Sequence, residues 1–172
     1  MDLFEIIQER FSVRSFSDKP VEQEKLNRLL EVVQYTPTAC NLQPQKVYVL
    51  ESQESRDKLA TVCRFTFNAP VILLICYDQD VAWKNKRVEG YNSGEMDASI
   101  CCDELMLEAW NLGLGSCWVG AYNPREVEAA FNLPSNIKVA AVLPIGYAAD
   151  DCTPMAGMHD KTKPLEELVV RL

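Results

Sequence analysis

Arg10-Phe11-Ser12-Val13-Arg14, followed about twenty residues later by Pro37-Thr38-Ala39-Cys40-Asn41-Leu42-Gln43-Pro44, decides how this chain is read. The first segment sets two guanidiniums and a hydroxyl within five residues of an otherwise acidic protein. A phosphate monoester carries nearly two charges, and guanidiniums fork onto its oxygens, so Arg10, Ser12 and Arg14 suit such a group. Taken alone, a solvated pair of arginines at a helix end is the commoner arrangement, because helix C-termini favour cations anyway. The second segment reads either as a plain helix–strand connection or as a loop offering backbone and amide groups to a polar ring edge.

Composition narrows the field. The 172 residues are expected to form one domain, residues 1–172, large enough to bury a real core. A net charge of −8 argues against a nucleic-acid surface, which needs a basic stripe, but leaves room for a small anionic ligand held by local cations. No apolar stretch approaches the roughly 20 residues of a membrane span. The start, Met1-Asp2-Leu3-Phe4-Glu5, lacks the basic and apolar regions of a signal peptide, so a cytoplasmic protein without membrane partners is expected. Cysteines at 40, 63, 76, 101, 102, 117 and 152 are scattered and fit reduced thiols better than a disulfide framework. His159 is the only histidine and no pair has metal-ligand spacing, so no metal is expected. Cys101-Cys102 reads as buried, small and apolar.

Periodicity places the elements. Asp2 to Gln8 reads as a short helix with one apolar face, and Ser12 to Pro20 as a loop. Leu26, Leu29, Leu30 and Val33 at helical spacing predict a helix from Glu22 to Tyr35, ended by Thr36-Pro37. Lys46 to Leu50 is a predicted strand and Ser52 to Cys63 a helix. Pro70 to Tyr77 is a near-continuous apolar run, as expected for a strand buried on both faces. Gln79 to Ser93 is polar and reads as a mobile loop. Gly94 to Asn111 is the strongest helix, stopped by Gly113 and Gly115. Ser116 to Ala121 should be extended, Asn123-Pro124 should open a helix to Phe131, and Ile137 to Tyr147 and Leu165 to Leu172 should be strands. Helices and strands mix without regular βαβ alternation, so the class is α+β.

Two further motifs bear on function. Gly113-Leu114-Gly115-Ser116-Cys117-Trp118-Val119-Gly120 invites a dinucleotide-binding reading, but that fingerprint needs a glycine where Trp118 stands, between a strand and a helix. Here the glycines follow a helix, so the stretch is either a helix cap with tight packing or a close backbone approach to a flat ligand. Lys161-Thr162-Lys163 resembles an ordinary solvated surface when taken alone.

In combination and in order, these motifs resemble the nitroreductase family along nearly the whole chain. The landmarks are Arg-x-Ser-x-Arg-x-Phe, Pro-Thr-Ala-x-Asn-Leu-Gln-Pro, Leu-Gly-Leu-Gly-Ser-Cys-Trp-Val-Gly, and a cationic pair before Pro-Leu-Glu-Glu-Leu-Val. The resemblance implies an α+β homodimer with a central, mostly antiparallel sheet flanked by helices, each C-terminal strand being exchanged with the partner. It implies bound FMN, with Arg10, Ser12, Lys161 and Lys163 on the phosphate and Phe11 contributing through its backbone. Arg14 would lie near N1 and O2 of the ring. Cys117, Trp118, Val119 and Gly120 would run beside the ring, the N–H groups of Val119 and Gly120 reaching N5 and O4. Pro37, Thr38, Ala39, Asn41 and Gln43 would touch it from the partner.

No side chain is then needed as nucleophile or base. NADH or NADPH would donate hydride, and a nitroaromatic, quinone or similar flat small-molecule acceptor would take it in ping-pong order. Asn68 is a candidate for the pyrimidine edge of the ring, and Trp83 or Tyr91 for the acceptor pocket. A cation of the lysine type at 163 offers only a point charge where the family commonly has arginine. Alternatives are a non-enzymatic flavin-binding or redox-sensing protein, and another flavin enzyme of the same fold such as a reductive dehalogenase.

Overall fold

A computed structural model describes residues 1–159 and 161–172. Helices α1 (Leu3–Glu9) and α2 (Gln23–Glu31) precede strand β1 (Gln45–Leu50). Helix α3 (Gln53–Ala60) leads to β2 (Val71–Asp78), and α4 (Gly94–Asn111) to the short β3 (Gly115–Ser116). Helix α5 (Pro124–Ala130), strand β4 (Ile137–Gly146) and the one-turn helix α6 (Leu165–Leu168) follow. The strands form one sheet in the order β1-β2-β4-β3, and every pairing is antiparallel.

The apolar run in β2 is explained by helices on both sides of it. Val71, Leu73 and Ile75 face one cluster, completed by Leu26 and Leu29 of α2 and by Ala98, Cys101, Cys102 and Leu105 of α4. Ile72, Leu74 and Cys76 face the other, with Leu59 of α3 and Val127 of α5. Strict alternation with no polar member is the pattern of a sheet covered twice. Each fully buried Leu or Ile adds about 1.5–3 kcal/mol relative to exposure.

β4 obeys the same rule only after one correction to its phase. Ala141, Leu143 and Ile145 lie with the first cluster, while Ile137, Val139 and Val142 lie with the second. The register explains the change of parity: Ile75 pairs with Ala141 but Cys76 with Val139, so Ala140 is an extra residue, a β-bulge.

Local chemistry sets the helix ends. Asp2 accepts the Glu5 N–H at 2.9 Å and Glu5 accepts the Asp2 N–H at 2.8 Å, a reciprocal capping box on α1. Asn123 caps α5 ahead of Pro124, as expected. The helix expected from Glu22 to Tyr35 instead narrows into a 3₁₀ turn over Val32–Gln34 before Pro37 stops it.

Two expectations change. Leu165 to Leu172 forms no strand in this chain: its first turn is α6, with Glu166 and Glu167 suited to the positive helix end, and Leu172 is fully exposed. A strand needs a neighbouring edge, and neither β1 nor β3 accepts this tail. The loop from Gln79 to Ser93 is also more ordered than its composition suggests. Lys84 and Asn92 pair in an antiparallel bridge, and the Ser93 N–H donates to the Trp83 carbonyl at 2.9 Å.

Candidate functional site

Beyond α1 the chain becomes extended, and period two then decides which side chains share a side. Val13 points inward and is fully buried, while its N–H donates to the Ser116 carbonyl at 2.9 Å and Ser12 bridges Ser116 in parallel. Gly115 makes this approach possible, since a Cβ there would lie 2.4 Å from Val13 Cγ2. Arg10, Phe11, Ser12 and Arg14 line one cleft of about 640 Å³, with Val13 turned into the core. Lys161 and Thr162 enter the same cleft from the C-terminal segment, 150 residues away in sequence. Arg14 Nη1 reaches the Ser12 carbonyl at 3.3 Å.

The electrostatics of this cleft oppose those of the chain. Three cations line it, and no described lining residue is acidic. Among the described residues no salt bridge engages Arg10, Arg14 or Lys161. Cations that gather without carboxylates suit an anion with several oxygens, and a phosphate monoester matches that donor set. Phe11 forms one wall: its ring stacks edge-on to Trp110 at 5.3 Å and lies 6.2 Å from the His159 ring.

His159, Thr162, Met155 and Met158 line the cleft as well, though sequence reasoning did not select them. The one available signal was their proximity to Lys161. Lys163 stays outside the cleft and pairs with Glu167 at 3.7 Å.

The second group of expected residues lies elsewhere in the same chain. Ala39–Asn41 forms a 3₁₀ turn in which Cys40 and Asn41 have φ of +52°, followed by Gln43 at +51°. Asparagine tolerates this left-handed region, whereas Cys40 and Gln43 are strained there. Thr38 Oγ1 accepts the Gln43 N–H at 3.0 Å, and Gln43 Nε2 donates to Asn41 Oδ1 at 3.2 Å, so the loop is closed on itself. Pro37 leads into it, and none of these residues lines the cationic cleft.

Cys117 to Gly120 continues from β3 along β4. The Val119 N–H donates to the Val142 carbonyl at 2.9 Å, which corrects the expectation that this amide faces a ligand: the sheet has taken it. The Gly120 N–H has no acceptor among the described residues, and Trp118 is partly exposed. Burial pushes the Cys117 thiol up, with the Arg14 charge and a Ser12 hydrogen bond opposing it, so this segment abuts the cationic one. Asn68, with φ of +55°, lines a separate polar recess beside Arg56 and Asp57. Trp83 and Tyr91 stand in the bridged loop before α4.

Among the described residues no group of three His, Cys, Asp or Glu side chains could hold a metal ion. Among the described residues no helix is long and apolar enough to cross a membrane.

A helix-covered antiparallel sheet with a cationic cleft past its first helix defines an α+β protein with a cleft whose charge suits an anion. The family model described as "Putative TM nitroreductase" matches residues 2–171. A nitroreductase family protein from Clostridium difficile 630 superposes with a TM-score of 0.91 at 34% identity, over 99% of this chain and 98% of that one. A protein of Bacillus subtilis strain 168 described as "FMN reductase [NAD(P)H]" is 32% identical over 81% of this chain and 63% of its own length. A protein of Exiguobacterium sibiricum 255-15, solved in complex with FMN, shares the fold at a TM-score of 0.84 and 20% identity. The chain belongs to the nitroreductase family and has its fold, and that family is one of oxidoreductases.

Proposed function

We propose that this chain is an FMN-dependent oxidoreductase that draws electrons from NADH or NADPH and passes them to nitroaromatics, quinones or similarly flat acceptors. One observation carries this reading: Arg10, Ser12, Arg14 and Lys161 meet in a cleft with no acidic residue among its described lining. Arg10, Ser12 and Lys161 would hold the phosphate, with Thr162 beside them. Arg14, next to Cys117, would hold positive charge against the pyrimidine side of the ring, where it favours the reduced cofactor. The free Gly120 N–H would donate to the ring edge. When bound, FMN would supply the redox chemistry that links the nicotinamide donor to the acceptor.

The chain would work as one domain in a homodimer. Pro37, Thr38, Ala39, Asn41 and Gln43 do not line this protomer's cleft, so they would serve the partner's. Leu165 to Leu172, exposed and with Leu168, Val169, Val170 and Leu172 apolar, would gain a strand partner on the neighbouring subunit. Each site would then draw on both chains, and Lys163 would leave Glu167 for the phosphate as the tail is exchanged.

The test is an absorbance spectrum after reconstitution with FMN, followed by anaerobic addition of NADH and then NADPH. Flavin bands that bleach support the reductase and rank the two donors. Bands that persist point to a binding or sensing role. A protein that takes up no FMN would falsify the proposal.

A further inference from the structure

Asp97 sits in the first turn of α4 and is only 2% exposed. A carboxylate at that depth is tolerated only where hydrogen bonds replace its water. Its Oδ1 accepts the Ala39 N–H at 3.0 Å, and its Oδ2 accepts the Ser93 hydroxyl at 2.7 Å. The Ser93 N–H in turn donates to the Trp83 carbonyl at 2.9 Å. One side chain therefore joins the strained Thr38–Gln43 loop to the bridged segment from Trp83 to Ser93.

The tie at Ala39 falls where the loop most needs one. Ala39 is the first residue of its 3₁₀ turn, so its N–H has no acceptor within that turn. The next residues, Cys40 and Asn41, and then Gln43, hold φ near +50°. Non-glycine residues stay in that region only when their surroundings impose it. A second tie lies on the same face of α4, two turns on, where Glu104 accepts the Thr36 hydroxyl at 2.8 Å. Thr36 is also bonded to Val32, whereas the Ala39 N–H has Asp97 as its acceptor.

We propose that Asp97 is a positioning residue for flavin binding, holding the Thr38–Gln43 loop in register with the acceptor-side segment from Trp83 to Ser93. This rests on the reading of the 37–43 stretch as a ring-contacting surface. Asp97, 2% exposed, would act through the Ala39 amide rather than by contact with the flavin.

The experiment titrates full-length protein with FMN and with riboflavin, following fluorescence quenching and the visible band of the bound flavin. Removing a charged acceptor from a buried N–H should weaken both flavins equally, by about ten- to a hundredfold, in Asp97→Ala. The visible band should shift as the ring loop relaxes. Asp97→Asn should restore affinity to within about threefold: its Oδ1 still accepts from Ala39, and its amide can donate to a rotated Ser93 hydroxyl. Ala39→Pro removes the donor alone. Thr38, at φ −135° and ψ 158°, already has the conformation preferred before proline, and the first turn position tolerates it.

Ala39→Pro should reproduce the loss, and the double variant should bind no worse than either single one. Losses that add, or wild-type affinity in Ala39→Pro, would overturn the inference. If Asp97→Ala does not fold, Ala39→Pro decides alone. A wild type that binds neither flavin removes the flavin reading and this inference with it. A wild type that binds both, beside variants that do the same, removes the inference only.

Discussion

At the scale of single residues, charge decides most. Arg10 has no protein counter-ion among the described residues and faces a cleft that suits a phosphate, so its contribution should depend on whether the ligand carries one. Arg10→Ala should weaken FMN about ten- to a hundredfold and leave riboflavin unchanged, as a titration of both flavins will show. Equal losses would place Arg10 away from the phosphate. A second residue, Glu22, bears on acid stability. Its carboxylate accepts the Tyr147 hydroxyl at 2.6 Å, and that hydrogen bond, with help from Lys19 and Lys25, holds its pKa at about 2 against an ordinary 4.5. The folded value lies below the unfolded one, so the contribution is fully present above pH 4.5 and fades as pH falls toward 2. Tyr147→Phe should therefore flatten the decline of denaturation midpoints between pH 4.5 and 2. Arg10, Ser12 and Arg14 were legible only in combination with the later motifs, since two arginines at a helix end are by themselves most simply a solvated pair. His159 and Thr162 were not, since the stretch before α6 has no periodicity to say which side chains turn inward.

At the scale of elements, the approach of the Ser12–Arg14 segment to β3 depends on one missing side chain. Gly115→Ala would set a Cβ 2.4 Å from Val13 Cγ2 and 2.9 Å from its Cβ, a short, fully buried side chain that cannot swing aside. Overpacking of this kind costs about 1–3 kcal/mol, to be read from chemical denaturation, and FMN affinity should fall with it because Ser12 moves. Here too the sequence was readable in part. The glycines of Gly113-Leu114-Gly115 were visible as a helix stop with tight packing, but Val13 as the contact was not. The strand Pro70 to Tyr77 was plain from its unbroken apolar run. The bulge at Ala140 was hidden, because Val139-Ala140-Ala141-Val142 is apolar throughout and carries no mark of the change in phase. The last eight residues were read as a strand from their composition. They fold here as a turn and a free tail because an edge to pair with is not a property of the segment itself.

At the scale of the whole molecule, the apolar surface is unevenly spread. Leu3 and Phe4 stand exposed on α1, Tyr35 just past the Val32–Gln34 turn, and Leu165, Leu168 and Val170 on the tail. On the proposed dimer, truncation after Pro164 should leave a monomer in sedimentation and lower FMN affinity with it. The apparent affinity of the intact protein should then rise with protein concentration, as mass action would require of a site made by two chains. The cysteines carry a further consequence for life in the presence of oxidants. Cys76 and Cys101 are buried thiols, raised by burial to about 12 and 11, and Cys102 is raised further in the same way. Peroxides attack thiolates they can reach, so these sulfurs stay chemically silent while the helices hold. Cys40 is exposed, and it lies at the strained crest of the loop beside Ala39. In a free subunit oxidative damage would therefore strike that loop first, and on the role proposed for the 37–43 stretch it would cost the protein its flavin site long before its shape.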